Sequence, residues 1–267
     1  MKKIISMLFV AILCLGFVAC SSGTGDANQK VEYVDKAFVL SLGKALEKRF
    51  DAADKIDAER DALSDAEYGL RLESLFDIEL NALSDYRTGM FENPKLQEAA
   101  ISYLNILQEG KAACADISAD LFAFNTAYKS VYNKRIKLLS TFASDYGLSV
   151  DGSHTETLNS LLSAAKSVIK NEATEEAIES VINGVVFEEV ENNYGWKTYR
   201  AVLDNTSGYD IEYISYSIDL VDANGVVLSQ TYAGANNVMN GKKYNLEFSS
   251  DEAFASYTFT SEYSMAN

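Results

Sequence analysis

The 267-residue chain contains one proline, one histidine, one tryptophan and three cysteines. Cys14 lies inside an apolar N-terminal run and Cys20 ends it, so beyond residue 20 only Cys114 remains and no disulfide can close there. Stability must come from packing. Cys114 sits in the small-residue patch Ala112-Ala113-Cys114-Ala115, which predicts a buried, inert thiol. Zinc prefers clustered His and Cys ligands, and His154 with one thiol cannot supply the usual set. Calcium needs oxygens, but around Asp222, Asn224 and Gly225 the first and twelfth positions of a calcium loop would fall on Leu220 and Thr231, so that pattern fails. No GxxxxGK, GxGxxG or GxSxG is present, which removes phosphate loops and the nucleophile elbow. Positive charge is scarce as well: 23 Lys and Arg face 39 Asp and Glu, for a net charge of −16. A surface this acidic argues against nucleic acid and against lying flat on anionic lipid.

At the N-terminus, Lys2 and Lys3 precede an uncharged apolar stretch from Ile4 to Val18 and then Ala19-Cys20-Ser21-Ser22. A basic start, a short apolar segment and a small residue at the cut are the parts of an export signal. The run is shorter than the about 20 residues a spanning helix needs, and no later segment approaches that length. The ending Phe17-Val18-Ala19-Cys20 resembles the lipobox of bacterial lipoproteins, with Phe17 where leucine is usual. That resemblance implies cleavage between Ala19 and Cys20, diacylglycerol on the Cys20 thiol and often palmitate-type acylation of the new amine. Residues 1–19 are therefore expected to be removed and 20–32 to form a lipidated tether. The rest would sit outside the cytoplasm, on the outer membrane if the host has two membranes. Loss of Lys2 and Lys3 takes the net charge to −18.

From Val34 the apolar period turns helical, with Phe38, Leu42, Leu46, Phe50 and Ala53 on one face. Ser64 and Glu67 have capping-box spacing ahead of Tyr68, Leu72, Leu75, Phe76, Leu83 and Tyr86. Asn93-Pro94 starts a third helix running to about Ala115, with Gly110 as a weak point. A fourth covers about Ala119 to Tyr146, with Leu121, Phe124 and Tyr128 opening its stripe and Gly147 as the stop. A fifth is predicted from Thr155 to Ile169 and a short sixth from Thr174 to Ile182. Long amphipathic helices with short joints predict an antiparallel bundle over residues 33–183.

Beyond Gly184 the texture is β-branched and aromatic: Val185-Val186-Phe187, Lys197 to Leu203, Tyr213 to Leu220, Val226 to Tyr232, Tyr244 to Phe248 and Tyr257 to Thr260. Nine of the sixteen tyrosines lie there. Asn224-Gly225 and Asn240-Gly241 between such runs predict hairpins with type I′ turns. The expected fold class is α+β: the helical bundle, then a small antiparallel β-sandwich over 184–267. Asp204 to Tyr209, Ile218-Asp219-Leu220-Val221-Asp222 and Asn224-Gly225 resemble the FxLYD-type sandwich modules of envelope lipoproteins. Ile218 and Val221 replace the aromatic letters of that motif, and Leu220 and Asp222 match. The resemblance implies architecture and address, and carries no catalytic residue.

Two readings of function follow. The first is a non-enzymatic envelope lipoprotein, held to the membrane through lipid on Cys20. It would bind an envelope protein or glycan or serve a structural role, without metal or cofactor. Its candidate binding face is Tyr194, Trp196, Tyr199 and Tyr213, since exposed Tyr and Trp make good contact anchors; the same rings also suit core and cross-strand packing. The second is a hydrolase of envelope polysaccharide, drawing on His154 and on Glu188, Glu189 and Glu191 beside Tyr194 and Trp196.

Overall fold

The computed structural model describes residues 32–115, 117 and 119–266. The apolar leader, Ala19, Cys20 and the tether up to residue 31 lie outside the described residues. Five helices come first: α1 Asp35–Glu59, α2 Asp65–Leu83, α3 Pro94–Cys114, α4 Leu121–Tyr146 and α5 Thr155–Asn183. Six strands follow: β1 Glu188–Asn193, β2 Trp196–Asp204, β3 Ile211–Val221, β4 Val227–Val238, β5 Lys243–Ser250 and β6 Ser256–Met265. The α+β class expected from the periodicities is the class observed.

Local chemistry fixes the helix ends. Ser64 Oγ accepts the Glu67 amide at 3.3 Å and the Glu67 carboxylate accepts the Ser64 amide at 2.9 Å, completing the capping box. Asn93 Oδ1 accepts the amides of Lys95 and Leu96 ahead of Pro94. Asp120 caps α4 through the Ala123 amide, and Gly147 closes α4 at φ +73°, the left-handed conformation that glycine adopts without strain. The bundle core is aromatic at one end: Phe38 meets Tyr86, Phe91 and Phe142 edge-on at 5.5–5.8 Å. Gly110 is not a weak point. It lies buried inside α3 against the Phe76 ring, where the absence of a side chain lets α2 and α3 approach.

The fifth and sixth helices are one. α5 runs unbroken for 29 residues, through the polar stretch Lys170-Asn171-Glu172 that reads as a joint. Its first half packs on the bundle through Leu158, and its last two turns bury Ile178 and Ile182 in a second core with the strands. Each of those isoleucines contributes about 1.5–3 kcal/mol relative to exposure, so the sandwich core begins before Gly184.

The strands form two antiparallel three-stranded sheets, ordered β1-β2-β5 and β4-β3-β6. Inward positions alternate, as period-two geometry requires: Ile214, Tyr216, Ile218 and Leu220 on β3 face Ala201, Leu203, Leu246 and Phe248 in one core. Val185-Val186-Phe187 is no strand. It links α5 to β1, and Phe187 bridges the sheets by meeting Tyr216, Tyr257 and Phe248 edge-on. The Tyr216 hydroxyl donates to the Ile182 carbonyl at 3.0 Å, satisfying an orphan acceptor of the last helical turn. Type I′ geometry falls at Tyr194-Gly195, where φ is +54° and +94°. At Asn224-Gly225 and Asn240-Gly241 only the glycine has positive φ. The Gly225 amide bonds the Asp222 carbonyl, and Lys242 bonds Met239 across Asn240-Gly241.

Candidate functional site

Three charged residues lie in register with the apolar stripes of the bundle. Arg49 follows Leu46 by three residues on α1, Glu79 follows Leu75 by four on α2, and Arg135 precedes Leu139 by four on α4. That spacing carries all three side chains inward, where they meet. Glu79 has no exposed surface, and Arg49 and Arg135 are 7% and 4% exposed. One carboxylate oxygen faces Arg49 Nη1 at 3.0 Å and accepts from Arg135 Nη2 at 2.9 Å; the other accepts from the Tyr103 hydroxyl.

The constellation is charged and incompletely bonded. Arg49 Nη1 lies near Glu79 without hydrogen-bond alignment, and Arg135 Nε has no partner. Burial, and then the Arg135 charge beside it, hold the Arg49 guanidinium below its ordinary pKa. Burial also pushes the Tyr103 phenol well up, so it donates to Glu79 as a neutral group. Arg49 stacks over the Phe76 ring at 4.7 Å, which disperses part of its charge.

Both arginines line a cleft of about 370 Å³ among α1, α2, α4 and the first turns of α5. α1 and α4 are not among the closely packed helix pairs, and both contribute to its lining. Its walls are apolar and aromatic: Phe50 and Ile56 on α1, Leu72 on α2, Tyr128 and Tyr132 on α4. Asp54 and Asp57 stand exposed at its mouth. A cleft of this size with a few convergent polar groups has the proportions of a small-molecule site.

The four aromatics read as a binding face do not share one. Tyr194 is fully exposed at the β1–β2 turn, and Trp196 points outward from its sheet with 54% of its surface exposed. Tyr199 turns inward and stacks on Phe248 at 4.9 Å, while Tyr213 stands on the outer side of the other sheet. Neighbours in sequence are separated because successive strand residues alternate sides and β3 belongs to the second sheet.

His154 is no free loop residue. It precedes α5, with Nε2 3.0 Å from Asp51 Oδ1 and Nδ1 2.8 Å from Asp151 Oδ1. These two carboxylates hold its pKa up, and Ser153 Oγ, 3.1 Å from Nδ1, donates instead to Asp151 Oδ1 at 2.7 Å. Glu189 is tied to Lys197 Nζ at 2.9 Å. Cys114 is buried, and its thiol is pushed up to about 11 by burial, as an inert cysteine requires. Asp222 accepts the Asn224 and Val226 amides and serves its turn. Among the described residues no three His, Cys, Asp or Glu side chains are placed to hold a metal ion together, and no helix is long and apolar enough to cross a membrane. Cys20 and Ala19 lie outside the described residues.

Comparison with protein-family models, with curated proteins and with solved structures found no match.

Proposed function

We propose that this chain is a non-enzymatic binding protein of the cell envelope, anchored on the extracytoplasmic face of the membrane by lipid on Cys20. The binding half of this reading rests on one observation: a cleft of ligand size whose floor holds two buried guanidinium groups and whose walls are apolar. The groups at that floor hold fixed charge and offer no nucleophile paired with a base. The address rests on the leader and its lipobox-like end. Two acyl chains hold stably where one is marginal.

Expression of the full chain in a bacterial host with labelled palmitate tests the address. The label is expected in the protein, which should sediment with membranes, and Cys20→Ala should lose both. An unlabelled protein that stays soluble with Cys20 intact would refute the anchor. The non-enzymatic half is tested by incubating the purified protein with envelope polysaccharides. No turnover is expected, and turnover lost in Glu189→Gln or His154→Gln would replace this reading with that of a hydrolase.

A further inference from the structure

At the buried floor of the cleft, two guanidiniums share one carboxylate. Arg49 and Arg135 converge on a single carboxylate, that of Glu79, and neither forms an ion pair with any other acid among the described residues. Asp54 and Asp57 remain at the mouth, without an ion pair to the arginines beneath them. The phenols nearest the arginines carry no charge: burial raises the pKa of both Tyr103 and Tyr128. The buried trio Arg49, Glu79 and Arg135 therefore carries one net positive charge in a low-dielectric site; Arg135 Nε has no hydrogen-bond partner, and Arg49 Nη1 pairs with Glu79 at 3.0 Å without hydrogen-bond alignment. Unbonded buried donors and unpaired buried charge are both costly, and a bound anion would relieve both.

We infer that the cleft binds a small organic monoanion, a single carboxylate on an apolar or aromatic body, with the carboxylate meeting Arg49 and Arg135. This rests on the binding function proposed above and specifies its ligand class. The balance of the buried groups sets the number: two guanidiniums and one carboxylate leave room for one negative charge, while Asp54 and Asp57 stay in solvent. The walls set the body, since Phe50, Leu72, Tyr128 and Tyr132 offer surface for rings and chains and no further cations. The mouth excludes polyanions, because Asp54 and Asp57 repel added negative charge there. Guanidinium suits the task, as its planar fork matches a carboxylate in two-point geometry.

The test is calorimetric titration of the purified full chain with benzoate, indole-3-acetate and octanoate, each against its uncharged amide, and with inorganic phosphate. At least one acid should bind at a single site, with its amide about tenfold to a hundredfold weaker, the range of one charge-assisted contact. Phosphate should not bind. Arg49→Met should remove the preference for acid over amide, and it keeps Glu79 bonded to Arg135 and Tyr103. Thr157→Trp, which fills the cleft from α5 and leaves the charged groups intact, should block acid and amide alike. Amides binding as well as acids, phosphate competing with acids, or acid binding that survives both substitutions would each overturn the anion inference and leave a binding protein. No binding by any acid or amide would overturn the cleft as a ligand site and the binding function with it.

Discussion

Asn205 shows what a single buried polar residue does in this fold. Its side chain has no exposed surface, yet every group is used: Nδ2 donates to the Tyr209 and Val238 carbonyls at 2.9 and 3.0 Å, and Oδ1 accepts from Ser207. It joins the loop after β2 to the end of β4. Asn205→Ala would remove a donor from the buried Val238 carbonyl, leave the Tyr209 carbonyl only the longer bond from Ser207 Oγ, and take away the acceptor of Ser207. We expect a loss of about 2–3 kcal/mol in urea unfolding, and a loss under 1 kcal/mol would show that water replaces the side chain. His154 is the second residue whose role is readable in isolation. Its pairing with Asp51 and Asp151 raises its folded pKa above the unfolded value near 6.5. The stability it adds is complete below that value and is lost as pH rises through the folded pKa. His154→Gln should therefore lower Tm more at about pH 5 than at about pH 9. Equal loss at both would mean that the clamp is not ionic.

At the scale of elements, the most legible features were the most local. A capping serine with glutamate three residues on, an asparagine before the only proline and a glycine after the last stripe residue each act within one turn, so α2, α3 and α4 could be bounded without tertiary knowledge. α5 could not. Its middle carries no core on either side, so the apolar pattern lapses there while the helix continues, and Ile178 and Ile182 serve a core built by residues far along the chain. Ala173→Pro separates the alternatives. In one continuous helix it should cost about 3 kcal/mol or more, read as lost helicity and lowered Tm; at a joint between two helices it would be nearly neutral. Gly110 makes the same point in packing. A Cβ there meets the fully buried Phe76 ring and comes within 2.9 Å of Val131, so Gly110→Ala should destabilise by about 1–3 kcal/mol despite alanine's better helix propensity. A more stable variant would show that α2 and α3 can move apart.

Over the whole molecule, the division into helices and strands was readable because the two halves differ in period and composition. The cleft was not, because its charged residues come from positions 49, 79 and 135 on three helices and only the fold brings them together. Each nonetheless left a trace: a charged residue standing where the apolar stripe calls for a hydrophobic one. The rings of the tyrosine-rich hairpin region, adjacent in sequence, are distributed among a turn, a core and two outward faces. The two arginines either form a site or hold the bundle together. Equilibrium unfolding of Arg49→Met without added ligand decides this most directly. A site kept for binding carries surplus charge, so removing Arg49 should leave the unfolding free energy unchanged to within about 1 kcal/mol, or raise it. A loss of about 3–5 kcal/mol, the cost of breaking a buried pair that the fold depends on, would contradict the account.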